Sequence, residues 1–117
     1  MIPLDLPHKD PIKFAKFIIS KNDDEAIVKV EFTTLPSVPM LVEAVAQSSA
    51  ALGDGKNKVG YLVTVKNIEL LSPIKLFEYS VKVKTLHIID KLNYFTFEVH
   101  TYEGIVILNG EFIIALT

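Results

Sequence analysis

The chain has 117 residues, half of them apolar, with no cysteine and a formal charge of −2. That length suits one domain, residues 1–117, able to bury a core without staples, and the apolar content argues against disorder and for a surface partly covered by another subunit. The absence of cysteine excludes disulfides and thiolate chemistry. All twelve basic residues are lysines, so there is no guanidinium fork for bases or phosphates, and nucleic acid is not an expected partner.

The N-terminal segment, 1–11, holds three prolines and reads as an irregular arm without the basic and apolar regions of a signal peptide. No apolar run reaches the roughly 20 residues that span a bilayer, so no membrane partner and a cytoplasmic location are expected. Residues 12–20 are dense in Phe and Ile and read as a strand, although Phe14, Phe17 and Ile18 also suit a helical face. Residues 26–32 set Ala26, Val28, Val30 and Phe32 against Ile27, Lys29 and Glu31, the period of a strand with one apolar side.

After a loop with two prolines the character changes. Residues 40–52 lack aromatics and are rich in Ala, Leu and Met, which predicts a helix over about 39–52 with Pro39 in its first turn and Gly53 and Gly55 ending it. Apolar nearly all round, this helix is expected to be buried. The remainder is β-rich. Strands are expected over 59–71, 77–89 and 92–102, with 105–116 a strand pair or one long bent strand and Gly110 a candidate bulge. The expected class is α+β: five or six antiparallel strands wrapped around one long buried helix.

Glu43 stands out, because it is a carboxyl inside the most apolar segment, with Gln47 one turn later on the same face. Apolar surroundings disfavour a charged carboxylate, which suits it to exchange a proton near neutral pH. The alternative is a structural Glu paired with a lysine or capping backbone. The histidines are less telling. His8 lies in the arm, His87 continues the phase of Val81, Val83 and Thr85 and should point toward the core, and His100 falls on the polar phase of its strand. No pair has metal-ligand spacing, and neither a metal nor another cofactor is expected. Ser48 and Ser49 lack the sharp turn of a serine nucleophile and read as small residues under passing strands.

Four segments together resemble the hot-dog-fold β-hydroxyacyl-acyl carrier protein dehydratases. Leu6-Pro7-His8 with Pro11 is similar to that family's Leu-Pro-His-x-x-Pro start. Pro36-Ser37-Val38-Pro39 followed by Glu43-Ala44-Val45-Ala46-Gln47 is similar to its Pro-x-x-Pro loop and Glu-Ala-x-Ala-Gln helix. The stretch 61–74, ending Ser72-Pro73-Ile74, is similar to its strand and corner, and 77–116 has the length of its meander. The resemblance implies a hot-dog fold, subunits paired as homodimer or heterodimer, and acyl thioester substrates on acyl carrier protein or coenzyme A. It also implies an acidic catalytic residue at Glu43, supported by Gln47, with the backbone N–H groups of Met40 and Leu41 polarising the thioester carbonyl.

The family's loop histidine has no counterpart. Aligned on the prolines its position holds Glu31; aligned on the helix it holds Lys29. A family glycine in the next strand is replaced by Thr64. Three functions fit this pattern: one half of a heteromeric dehydratase, like the pairs of aryl-polyene-type pathways, whose sister subunit brings the histidine; a hot-dog thioesterase using one helix carboxylate; or a non-catalytic acyl-binding or scaffolding subunit.

Overall fold

The computed structural model describes residues 2–4, 13–52 and 60–116. His8, Pro11, Gly53 and Gly55 therefore lie outside the described residues, and so do the N-terminal motif and the expected helix stop.

Seven strands form one antiparallel sheet: β1 Ile2–Pro3, β2 Ala15–Lys21, β3 Glu25–Glu31, β4 Gly60–Leu70, β5 Glu78–Ile89, β6 Leu92–His100 and β7 Val106–Leu116. Their order is β1-β2-β3-β5-β6-β7-β4. Among the described residues there is one α-helix, α1 Val38–Ser48, which follows β3; the next strand in the chain, β4, lies at the far edge of the sheet. The strand count exceeds the expected five or six because a piece of the arm pairs with β2, Ile2 opposite Ile18 and Pro3 opposite Phe17. Residues 105–116 supply one strand rather than two.

The two-residue alternation of β3, β5 and β6 fixes which face meets the helix. Ala26, Val28 and Val30, then Tyr79, Val81 and Val83, then Phe95, Phe97 and Val99 are all buried, and the residues between them face away. Leu41, Ala44 and Val45 of α1 close on this surface. The connections are built from local chemistry. Asn22 Oδ1 accepts the N–H groups of Asp24 (2.9 Å) and Glu25 (3.0 Å), closing the β2–β3 turn. Asp90 has φ 54° in the two-residue β5–β6 turn, a left-handed geometry that Asp tolerates. Tyr79 places its hydroxyl oxygen where the Lys75 and Leu76 N–H groups donate to it, pinning the corner before β5.

Of the sheet's register shifts, two bear on residues singled out in the sequence. The first, between Thr85 and His87, pairs Thr85 with Phe95 but His87 with Tyr94. The extra residue, Leu86, flips the phase, so His87 lies on the face away from the helix rather than toward the core. The second lies in β4, between Lys66 and Glu69, where Asn67 has φ 55°. The bulge thus sits across from Gly110, which itself stays in register with Phe97. A Cβ on Gly110 would come within 3.0 Å of the Phe97 ring and 3.3 Å of Ile68 Cα. Gly110 is there to let the ring and the bulged strand close in, and it does not make the bulge.

Candidate functional site

The helix begins at Ser37, whose extended backbone (φ −88°, ψ 168°) and hydroxyl make an N-cap. Ser37 Oγ accepts the Met40 N–H at 3.3 Å, and the Ser37 carbonyl accepts the Leu41 N–H at 3.0 Å. The two amides assigned to the thioester carbonyl are thus already engaged inside the cap, and a carbonyl placed there would compete with these bonds. At the other end Ser48 Oγ donates to the Ala44 carbonyl (2.7 Å) and Ser49 Oγ to the Ala46 carbonyl (2.6 Å). Both hydroxyls are spent on their own helix. The α-helix stops at Ser48, and Ser49–Leu52 tightens into a 3₁₀ turn. Lys21 Nζ donates to the Ala51 carbonyl at 3.1 Å, a cation at the negative end of the helix.

The helix expected to be buried packs against the sheet, and its burial is one-sided. Leu41, Ala44, Val45, Gln47 and Ser48 are enclosed, but Met40, Val42, Glu43 and Ala46 are only half-buried, and Pro39 and Ala50 are exposed. One chain covers one side of α1 and leaves the other side, with Glu43 on it, half-covered.

Gln47 ties this carboxylate to the sheet. Only 3% exposed, it accepts two backbone N–H groups through Oε1, from Phe14 at 2.8 Å and Ala15 at 3.1 Å. Those donors settle which way the amide faces, so its NH₂ group is turned to Glu43, where Nε2 donates to Oε1 at 3.4 Å. The N–H groups at the root of β2 thereby orient the side chain that contacts Glu43. This link joins residues more than thirty positions apart, and no local pattern announces it.

The other chemistry-bearing residues lie elsewhere. His87 is exposed and stacks on Tyr94 with ring centroids 4.3 Å apart. His100 pairs with Ser80 on the sheet face away from the helix. Burial lowers its pKa, Glu98 opposes that shift, and Lys82 adds to it. Lys29 and Glu31, the two positions where the family histidine would align, share that same far face. They form an ion pair at 3.7 Å, and Lys29 also reaches Glu78 at 3.4 Å. Both described histidines and both of these residues are therefore separated from Glu43 by the sheet. Thr64 is exposed on β4, opposite Ile113. Among the described residues no group of three or more His, Asp or Glu side chains is placed to hold a metal ion, and no helix is long and apolar enough to cross a membrane.

One feature that reasoning from sequence passed over is the edge strand. β4 runs eleven residues along an edge that no other described strand covers, with Tyr61, Leu62, Val63, Ile68 and Leu70 all exposed, and Leu71 continues the series. A long, apolar, unpaired edge is a template for another strand. The signal was present in the run Tyr61-Leu62-Val63, but strand period alone does not distinguish an edge from a centre.

No protein-family model matches the sequence, and no curated protein matches it. Solved structures do. The dehydratase heterocomplex ApeI:P from Xenorhabdus doucetiae aligns with a TM-score of 0.80 at 17% identity, over 100% of this chain and 92% of that one. An HP0420 homologue from Helicobacter felis gives 0.75 at 20% identity, over 97% and 85%. A hypothetical thioesterase protein with coenzyme A from Streptococcus pneumoniae gives 0.71 at 16% identity, over 86% and 84%. The protein has the hot-dog fold. These likenesses establish the architecture expected from the sequence, an antiparallel sheet wrapped on one helix.

Proposed function

We propose that this hot-dog chain handles acyl thioesters as a dehydratase-type subunit, with its site completed by a second hot-dog chain. The observation that carries this reading is the position of Glu43. It sits on the half-covered side of α1, contacted by the Gln47 amide, while the described histidines lie beyond the sheet. A carboxyl group there would be one half of an acid–base pair, and the β4 edge is where a second chain bearing the other half would join the sheet.

The chemistry requires two groups. Glu43 would protonate the 3-hydroxyl as the C–O bond breaks, releasing water. An imidazole from the partner would take the proton from the carbon next to the thioester carbonyl, and that C–H electron pair becomes the new double bond. The acyl chain would run along the half-covered helix face past Val42 and Ala46. The fold's likeness to a dehydratase heterocomplex supports a shared site of this kind.

A second reading has its own support. Glu43 is the one charged residue of α1, and a structure of a hypothetical thioesterase protein with coenzyme A shares the fold. A lone carboxylate can activate water for thioester hydrolysis.

The experiment incubates a 3-hydroxyacyl thioester with this chain alone and with a histidine-bearing hot-dog partner, following the enoyl product and free thiol separately. We expect enoyl product only with the partner, and Glu43→Gln to lower the rate about 10²–10⁴-fold, the usual contribution of a positioned acid. Thiol release without enoyl product selects the hydrolase. A dehydration rate indifferent to Glu43→Gln overturns the assignment.

A further inference from the structure

The face of the sheet that meets α1 continues past the helix. Strand register orders its rows: Val28–Val81–Val99–Leu108, Ala26–Val83–Phe97–Gly110, Thr85–Phe95–Phe112–Val65 and Ile88–Asn93–Ile114–Leu62. The helical segment closes near the second of these, because Lys21, the register partner of Ala26, reaches the Ala51 carbonyl. The last row lies two steps farther on, about 13 Å at the usual strand rise. It is apolar but for one residue. Ile114 is buried, Leu62 and Ile88 are 38% and 63% exposed, and between Ile88 and Ile114 stands Asn93. Asn93 Oδ1 is enclosed and accepts no hydrogen bond, the one such side-chain atom among the described residues.

An enclosed carbonyl oxygen without a donor costs stability that a leucine of similar shape would not cost. Such an atom marks the place of a donor that the chain does not itself supply. We infer that Asn93 reads the ligand: the far rows hold the apolar tail of an acyl chain, and a hydroxyl on that tail donates to Asn93 Oδ1. That the ligand is an acyl chain rests on the function proposed above. The row itself selects the class of donor. Its other members are hydrocarbon, so the body of the ligand must be apolar, and the exposed Ile88 and Leu62 leave room for it. Neither this row nor the one before it holds an acidic residue, so nothing there would neutralise an ammonium group, and a neutral donor is favoured. A hydroxyl both donates and accepts, so it satisfies the Asn93 amide whichever way that amide is turned. A plain hydrocarbon tail would bury the acceptor unpaired, and a site built to bond a hydroxyl rejects the analogue that lacks it.

The test measures binding apart from turnover, by titration calorimetry on the full chain, alone and with the histidine-bearing hot-dog partner. The probes are pantetheine thioethers, which neither dehydration nor hydrolysis consumes. Their alkyl chains are matched in length, end in methyl or in hydroxyl, and span a series of lengths. At one length or more the hydroxyl-ended probe should bind at least about tenfold tighter than its methyl twin. Asn93→Leu should erase that difference and leave the ligand-free protein as stable as wild type, or more so, in denaturant melts. Equal affinity for both tails at every length overturns the proposal. So does a clear loss of stability in Asn93→Leu, which would show that the chain itself uses the acceptor. Weaker binding of bare pantetheine by Asn93→Leu assigns the oxygen to the carrier arm and overturns the tail assignment. A tail preference that depends on Asn93, in a protein that forms no enoyl product, refutes the dehydratase reading and supports this inference.

Discussion

The β3–β5–β6 centre and the β4 edge are made of much the same residues and end up in opposite conditions. Val28, Val30, Val81, Val83 and Val99 are fully enclosed, each with a strand on either side and α1 across one face. Tyr61, Val63, Ile68 and Leu70 are no less apolar, yet they stand in solvent with one side of their strand unpaired. The helix explains the contrast: its main packing is on β2, β3, β5 and β6 rather than on β4. The centre is finished within one chain, whereas one chain leaves the edge and one side of α1 open. The proposed chemistry sits on the unfinished side.

Breaking the edge should have the largest consequence. Val63→Pro removes an N–H from the edge strand and should separate chains paired through β4 and abolish any shared-site activity, as read by light scattering and by the enoyl assay. Breaking the centre should instead cost stability. Leu41→Ala deletes a fully buried side chain and should lower unfolding free energy by about 2–5 kcal/mol, measured by denaturant melts. Gln47→Leu probes the junction of the two regions. It strands the Phe14 and Ala15 N–H groups and should cost about 1–3 kcal/mol. If Gln47 positions Glu43 it should also lower kcat for enoyl formation by fully folded protein with KM little changed, an effect that a purely structural role would not produce. Ser37→Ala removes the helix cap and should cost about 1 kcal/mol in the same melts.

The smallest effect concerns pH. Burial holds His100 below its ordinary value of 6.5, so the unfolded chain binds this proton more readily than the folded one. Its contribution to stability is complete above that value and declines as pH falls through the lowered one. His100→Gln should flatten that part of the stability–pH curve.

Much of the fold was legible because periodicity is local. Ala26 to Phe32 and Phe95 to Val99 declare their buried faces within a few residues, and the run from Met40 to Leu52 declares a helix by composition. Glu43 and Gln47 were legible as an i, i+4 pair, and their contact follows from helical geometry alone. His87 was misplaced because one extra residue, Leu86, reverses every side chain after it, and a bulge has no period of its own. Gly110 drew attention for the same irregularity, but the space it leaves serves the Phe97 ring and the strand beside it.

The sequence by itself determined the strands from β2 onward, the helix and the carboxyl group on it, because each depends on neighbours a few positions away. Only the tertiary structure decided which strand became the open edge, which side of the helix stayed half-covered, and that the Gln47 amide is held by the root of β2. Those outcomes depend on strand order and on contacts between distant segments, which local spacing does not encode.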